Sequence, residues 1–285
     1  MEKAGFAPAF FSPMSLTPYT QHISIAWKLG VRSHAIRALV AFGVFLLGAA
    51  FLAGAFSLRQ PLIVTLDVGI SGIRLLTVLL TLFWMQEAFV HDIERRTLTL
   101  AFSLPLDRIT YVLGRFIGIM LLISLAVTTW GAALAIADQF ASWGYPGSSR
   151  PALGLRYVAM LMGIMLDAWV IGAFVLAVAS VAQTPLLPFL TGAAFAVSAR
   201  SIGAVLDYLS YSSSVDAATK AYFLSLIDKL RWILPDLGLL DWRAATLYGQ
   251  DFPWPQAQSG MAIAFGYLIV FLSIAVFAYR RREFY

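Results

Sequence analysis

Four ionisable side chains lie inside stretches of the sequence that are otherwise apolar. They are Asp67 and Arg74 in residues 63–86, Asp167 in residues 157–182, and Arg200 in residues 186–207. A charge among apolar residues is costly unless it is paired or reaches water. Such residues therefore either line a path for ions or polar cargo, or form ion pairs that hold helices in register.

The spacing of these charges predicts two groups. Asp67 and Arg74 are seven residues apart, on nearly one face of a helix and about 10 Å apart along its axis. They are too far apart to pair directly, but both can face one polar seam or extend toward the outer surface. Asp167 and Arg200 lie in consecutive apolar stretches joined by a short turn at 183–184, so they can approach each other. For this second pair we favour a structural role over a functional one.

The residue types argue against an enzymatic site. The chain has no cysteine, so thiol catalysis, disulfides and thiolate metal sites are excluded. Its three histidines, His22, His34 and His91, lie outside the apolar stretches and form no H-E-x-x-H pattern. No lysine follows a glycine, so the phosphate-binding pattern G-x-x-x-x-G-K-[ST] does not occur. We therefore predict no catalytic residue, no metal site and no cofactor in this chain.

Apolar helices must position these charges. Hydrophobic residues make up 60% of the 285 positions and charged residues only 12%, which is more apolar surface than a soluble protein of this length can bury. A membrane-spanning helix needs about 20 mostly apolar residues. Six stretches meet this requirement, namely residues 38–57, 63–86, 116–137, 157–182, 186–207 and 259–279. The predicted fold class is an all-α membrane protein with six transmembrane helices and a single domain over residues 1–285.

The basic residues predict the orientation of the spans. With the N-terminus inside, eleven basic residues fall in inner segments and seven in outer ones. Cytoplasmic segments of membrane proteins are enriched in Lys and Arg, so we expect both termini in the cytoplasm. The expected location is the cell membrane, a bacterial inner membrane in the simplest case. The formal charge of +5 results from these groups at span ends and predicts no nucleic-acid partner.

Two amphipathic segments are predicted outside the spans. Residues 21–34 have polar groups at helical spacing, which fits a helix in the inner interface or a simple lead-in to the first span. In the outer loop 208–258, apolar residues recur every three or four positions over 215–233, which predicts an amphipathic helix that rests on the outer surface or dips into it. The expected interface anchors of this loop are Trp232, Trp242 and Trp254.

Residues 87–115 form a charged segment between the second and third spans. Its charged start leads into an apolar helical run that Pro105 ends, and Asp107 suits the N-cap of the next helix. A short helix along the inner membrane surface, fixed at each end to a spanning helix, can transmit force. A partner that pushes on it would move the second and third spans together.

This segment resembles the signature of the permease subunits of type-2 ABC exporters. In that family the pattern is roughly E-x-G-T-L, then S-x-P, then an arginine about three residues on, then G-K or G-R. The matching residues are Glu94, Arg95, Thr97, Leu98, Ser103, Pro105, Arg108, Gly114 and Arg115. Pro105 follows Glu94 by eleven residues, as the pattern expects, whereas Arg96 replaces the glycine of the family. The interfacial helix, six spans, outer loop and basic C-terminal end also fit the family layout.

The resemblance implies the membrane half of an ATP-driven exporter. Two such subunits would pair, as a homodimer or with a related chain, and each would dock on a separate ABC ATPase subunit that binds ATP and magnesium. Residues 94–108 would form the coupling helix, with Glu94, Arg95, Arg96 and Arg108 in contact with the ATPase. The resemblance does not imply a particular cargo.

Other functions remain open. An ATP-independent secondary transporter or channel would need an ion-coupling cluster or a broken-helix pair in repeated halves, but the sequence shows no internal repeat and no paired acids. A regulatory or assembly role with an exporter-like body is a further alternative. An intramembrane enzyme is disfavoured because no cluster of metal ligands or nucleophile pair lies within the spans.

Overall fold

All the regular structure in the described part of the chain is helical. The computed structural model describes residues 34–57, 59–90, 108–140, 153–182, 186–211 and 235–281, together with Trp27 and Thr184. Six of the helices in these ranges are long and apolar enough to cross a membrane. The chain is therefore a multi-pass membrane protein, and the predicted all-α fold with six spans is confirmed.

The helices extend beyond the predicted spans. They are α1 His34–Phe56, α2 Pro61–Met85, α3 Arg108–Phe140, α4 Leu155–Val181, α5 Leu186–Tyr211, the short α6 Arg243–Leu247, and α7 Trp254–Arg281. A π-helical turn, Gln86–Val90, follows α2, and a 3₁₀ turn, Leu237–Leu240, precedes α6. The 33 residues of α3 measure about 50 Å, whereas the hydrocarbon layer is about 30 Å thick. Its ends therefore lie outside the hydrocarbon, beyond the predicted span 116–137.

The buried threonines of α2 form hydrogen bonds with the backbone of their own helix. Thr65, Thr77 and Thr81 are buried, and their hydroxyls donate to carbonyl oxygens four residues earlier at 2.9, 2.7 and 2.8 Å. This pairing lowers the cost of placing a hydroxyl in an apolar environment. Pro61 occupies the first turn, where its missing N–H removes no helical hydrogen bond.

Helix α2 lies at the centre of the described helices. It packs against α1, α3, α4 and α5, and most of its side chains are buried. Leu66, Ile70 and Leu82 of α2 belong to one hydrophobic core that continues through Ile123 of α3 and Val170 of α4. Any displacement of α2 therefore changes its contacts with most of the other spans.

Three predictions fall mainly on residues outside the described ranges. They concern the interfacial helix at 21–34, of which Trp27 and His34 are described, the coupling helix at 94–108, of which Arg108 is described, and the outer helix at 215–233. These stay predictions.

Candidate functional site: an ion network around an inserted segment

Residues 235–250, which we call the inserted segment, lie between spanning helices. The 3₁₀ turn of this segment packs against α4, α5 and α7. A Cβ atom at Gly163 would lie 2.5 Å from the carbonyl oxygen of Leu240, and one at Gly260 would lie 2.7 Å from Cβ of Leu239. Both distances are shorter than van der Waals contact, so glycine at these positions lets the segment approach α4 and α7 closely.

The inserted segment extends from the first turn of α4 about 10 Å along this helix into the bundle. At one end, Arg156 in the first turn of α4 donates to the carbonyl oxygen of Gln250 at 3.3 Å. At the other, the backbone of Leu240 lies against Gly163, seven residues further along α4. Seven helical residues span about 10 Å. Irregular backbone at this depth in a membrane is tolerated only where protein surrounds it, as α4, α5 and α7 do here.

Side chains of the inserted segment satisfy its own backbone. Asp236 accepts a hydrogen bond from the N–H of Gly238 at 3.0 Å and caps the 3₁₀ turn. Trp242 is buried, and its indole N–H donates to the carbonyl oxygen of Leu239 at 2.9 Å. The prediction that Trp242 anchors the loop at the interface is therefore wrong, because the insertion turns this ring into the protein. Trp254, by contrast, is 64% exposed.

Asp167 lies between two arginines. Arg200 donates from Nε to Oδ2 of Asp167 at 3.0 Å, and its NH2 forms a second, shorter contact with the same oxygen. Nε of Arg74 lies 4.0 Å from that oxygen. The Asp167 side chain is completely buried, and among the described residues its Oδ1 atom has no hydrogen-bond partner. One carboxylate of α4 thus connects α2 with α5.

Asp241 connects the inserted segment to α2. Arg74 donates from NH1 to Oδ2 of Asp241 at 2.5 Å. The same oxygen accepts a hydrogen bond from NH2 of Arg243 at 2.7 Å. Arg243 also donates from NH1 to Oδ1 of Asp67 at 3.2 Å and to the hydroxyl of Ser71 at 2.6 Å. Two arginines therefore share one carboxylate of the inserted segment.

These contacts form a single set of ion pairs, which we call the six-charge network. Its members are Asp67, Arg74, Asp167, Arg200, Asp241 and Arg243. Three aspartates and three arginines cancel in formal charge, which lowers the cost of burying them. The network joins α2, α4 and α5 to the inserted segment by charge as well as by apolar packing.

The structure brings together all four intramembrane charges that the sequence singled out. Asp67 and Arg74 are joined through Asp241 and Arg243, two residues that sequence reasoning missed. Sequence reasoning missed Asp241 and Arg243 because they lie in the predicted outer loop 208–258, outside the six predicted spans. Their signal was present: two opposite charges, two positions apart, interrupt the otherwise apolar run 237–247.

Asp241 and Arg243 stabilise each other's charged form. Burial acts to raise the pKa of the Asp241 carboxyl, but hydrogen bonds from Arg243 and the charge of Arg74 outweigh it and hold this pKa below its ordinary value of 3.8. The hydrogen bond to Asp241 in turn raises the pKa of the Arg243 guanidinium. Both groups are charged at neutral pH, so ion pairs hold the inserted segment in place.

An aromatic cluster joins the same spanning helices further from the inserted segment. Phe174 of α4 stacks on Phe195 of α5 with 4.2 Å between ring centroids. Phe271 of α7 meets these two rings edge-on at 5.3 and 5.7 Å. Phe174 follows Asp167 by seven residues, about 10 Å along α4. Helices α4, α5 and α7 are therefore in direct contact at this level, and the 3₁₀ turn packs against all three nearer to Gly163.

A second polar contact joins the two helices that flank residues 91–107. Arg115 of α3 is buried, and its NH1 donates to the carbonyl oxygen of Ala88 at 2.8 Å. It also donates to the hydroxyl of Tyr111, and its guanidinium lies over the Tyr111 ring, 5.0 Å from the centroid. Ala88 belongs to the π-helical turn after α2, so Arg115 connects the end of α2 to the start of α3.

The structure describes only the last three of the predicted coupling residues. Arg108 is the first residue of α3, and Gly114 and Arg115 are buried about two turns later. The others lie outside the described ranges, and they are Glu94, Arg95, Arg96, Thr97 and Pro105. In the described ranges, no three His, Asp or Glu side chains come together as metal ligands.

Fold and site together define the general class of protein. No protein-family model matches the sequence, and no curated protein matches it significantly. The chain is a multi-pass membrane protein in which three spans hold an inserted segment through a charge-balanced ion network.

Proposed function

We propose that this chain is the permease subunit of an ATP-driven ABC exporter. A dimer of permease subunits would form the transmembrane pathway, and residues 94–108 would couple each subunit to a separate ATPase subunit. The main support is the hydrogen bond from Arg115 to Ala88, taken with the resemblance of residues 94–115 to the exporter signature. This bond joins the two sides of the segment on which the ATPase would push.

A push on residues 94–108 would move α2 and α3 as one unit. The last carbonyl groups of a helix lack partners within the helix, so its end is easily distorted. Arg115 gives one of these carbonyls, that of Ala88, a charged donor. A charged hydrogen bond contributes about 1.5–3 kcal/mol. The π-helical turn is also fixed by packing, because Ala88 and Phe89 are buried.

Helix α2 would transmit this movement to the ion network. Arg74 lies 14 residues before Ala88, about 20 Å along the helix. Because α2 packs against α1, α3, α4 and α5, its displacement shifts Arg74 relative to Asp167 on α4 and Asp241 on the inserted segment. The network is thus the point at which movement of α2 would change contacts on the opposite side of the membrane.

The proposed orientation follows from the distribution of basic residues. It places both termini and residues 94–108 in the cytoplasm, and the inserted segment at the outer side of a bacterial inner membrane. The proposed partners are the ATPase subunit, a second permease subunit and membrane lipid.

Affinity purification from the native host tests this function. A tagged chain extracted in mild detergent should bring down a soluble ATPase subunit in a fixed ratio. An unrelated multi-pass protein with the same tag, purified in parallel, controls for adventitious binding. A stable, monodisperse chain that never brings down an ATPase would contradict the proposal.

An ATP-independent secondary transporter or channel is the second candidate. The six-charge network favours it, because charges within spans mark ion or proton paths in many transporters. Reconstitution without any partner separates the two functions. Flux driven by an ion gradient through the chain alone would support this candidate, and ATPase-dependent activity would support the exporter.

A further inference from the structure

We propose that the inserted segment is a releasable plug, and that an exchange of partners within the six-charge network allows it to leave the bundle and return. The role of the plug in transport rests on the exporter function proposed above. Release of the plug from the bundle does not depend on that function. The argument depends on what the segment fills, what holds it, and what its departure leaves behind.

The plug fills a space between spanning helices at one end of the bundle only. Its 3₁₀ turn lies among α4, α5 and α7, against Gly163 and Gly260. About 10 Å beyond Asp167, Phe174, Phe195 and Phe271 bring the same three helices into direct contact. Departure of the plug would open a cleft on the proposed outer side, closed at its lower end by the aromatic cluster.

The paired charges of the plug can leave together. The plug also contains Asp236, whose carboxylate caps the plug's own 3₁₀ turn. Asp241 and Arg243 pair with each other within the segment, with 2.7 Å between Oδ2 and NH2. Arg243 also contacts Asp67 and Ser71 of α2. The Asp67 side chain is 39% exposed and Ser71 is exposed, so both would be hydrated once the plug has left. Neither Asp241 nor Arg243 would therefore lose every partner in a buried position.

Arg74, the buried cation of α2, keeps an ion-pair partner after the plug has left. Arg74 would lose Asp241, but its Nε already lies 4.0 Å from Oδ2 of Asp167. Oδ1 of Asp167 is buried and accepts no hydrogen bond from the part of the chain that the structure describes. Arg74 can therefore form a full pair with Asp167 while Arg200 keeps its own contact with Oδ2. This free acceptor gives the network a second paired arrangement without the plug.

The hydrogen bonds at the outer end of the plug are long. Arg156 donates to the carbonyl oxygens of Ala245 and Gln250 at 3.4 and 3.3 Å, near the upper limit for a hydrogen bond, and the hydroxyl of Thr246 donates to the carbonyl oxygen of Arg156 at 3.2 Å. Gly249, close to the end of the plug, has a φ of 65°, a left-handed conformation that glycine adopts without strain. The ion pairs with α2 are therefore the strongest polar contacts that hold the plug.

Cysteine labelling can detect release, because the natural chain contains no cysteine. Leu240→Cys on the plug and Ala264→Cys on α7 both replace residues that are completely buried. In proteoliposomes, a membrane-impermeant maleimide should label Leu240→Cys slowly. Adding Arg74→Gln should raise this rate on the order of tenfold, because labelling through a rare open state follows its population. The rate at Ala264→Cys should not change.

Two labelling results would overturn the proposal. One is an unchanged rate at Leu240→Cys after Arg74→Gln, and the other is an equal rise at both cysteines, which would mean that the whole bundle has loosened. If Arg74→Gln prevents folding, Asp67→Asn replaces it, since this change removes only an exposed partner of Arg243. A smaller rise confined to Leu240→Cys is then expected, and no rise would overturn the proposal.

A reversible lock tests the part of the plug in transport. The Cβ of a residue at 260 would lie 2.7 Å from Cβ of Leu239, within about 1 Å of the spacing in a disulfide, so Leu239→Cys with Gly260→Cys should tether the plug to α7. In the purified complex with the ATPase, oxidation should lower ATP turnover several-fold, and reductant should restore it. Undiminished turnover with a complete disulfide would overturn the role in transport. Absence of an ATPase partner would count against the exporter function. The labelling experiment would still show whether the plug leaves the bundle.

Discussion

Arg74 and Asp241 are 167 positions apart in the sequence, yet NH1 of the arginine lies 2.5 Å from Oδ2 of the aspartate. This contact joins the central helix α2 to the inserted segment. Only 11% of the Arg74 side chain and 23% of the Asp241 side chain are exposed. An ion pair with so little access to solvent affects stability more than a surface pair does when one partner is removed.

Removal of the Arg74 charge should destabilise the protein strongly. Arg74→Gln is expected to lower the free energy of unfolding by about 3 kcal/mol, because Asp241 and Asp167 each lose a neighbouring cation. Asp241→Asn should have a smaller effect, since Arg74 still lies near Asp167. Thermal unfolding in detergent micelles measures both changes.

The double variant tests whether these two residues act on each other. Its cost should be clearly smaller than the sum of the single costs, since the second change removes a partner that is already gone. Arg156→Gln is the matched control, because this exposed arginine contacts only backbone carbonyls and should change stability by at most about 0.5 kcal/mol. Additive single costs would show that the pair does not interact as described.

Asp167 should be the most sensitive member of the network. Its side chain is completely buried beside Arg74 and Arg200, so Asp167→Asn is expected to cost about 3–5 kcal/mol and to lower the yield of folded protein. Arg200→Gln should cost less, because Arg74 remains beside the carboxylate. Normal thermal stability of Asp167→Asn, combined with loss of activity in the assembled complex, would instead indicate a functional role.

Stability should depend on pH through Asp241 only in acid. The carboxyl has a lower pKa in the folded protein than its ordinary value of 3.8, so the unfolded chain binds the proton more readily. The stabilisation is therefore fully present above pH 3.8 and is lost as pH falls through the lower pKa of the folded state. Thermal unfolding of Asp241→Asn should lack this acid-dependent component. An identical acid profile in both proteins would contradict the assignment.

Close backbone contact at Gly163 can be tested with a methyl group. Gly163→Ala would place Cβ 2.5 Å from the carbonyl oxygen of Leu240, and we expect a loss of about 1–3 kcal/mol as the plug shifts. Gly48→Ala in α1 is the control, because its Cβ would meet nothing within 4 Å and should leave stability unchanged or slightly raised. Equal thermal stability of the two variants would show that the plug does not approach α4 this closely.

The six spans could be predicted because each depends on local composition. A stretch of about 20 apolar residues identifies itself without reference to the rest of the chain. The apolar stretches are shorter than the helices: α3 begins at Arg108, close to the helix start predicted at Asp107, whereas the apolar stretch begins at residue 116. Proximity of Asp167 and Arg200 could also be anticipated, since a short turn joins their helices.

The remainder of the site depends on tertiary structure. Asp241 and Arg243 meet α2 only because an irregular segment enters the bundle, and no local periodicity predicts such an insertion. Trp242, which the sequence predicted as an interface anchor, is buried between them for the same reason. Gly163 and Gly260 likewise had no recognisable role until the backbone that approaches them was known.

The most direct test of the exporter account is ATP turnover by the assembled complex in lipid. Combined replacement of Glu94→Gln, Arg95→Gln and Arg108→Gln should reduce the turnover several-fold and leave thermal stability of the permease unchanged. The matched control, Asp251→Asn with Arg59→Gln and Arg150→Gln, removes the same charges from the proposed outer side and should keep full turnover. Full turnover in the first variant, with the complex intact, would contradict the central claim that residues 94–108 couple this chain to an ATPase.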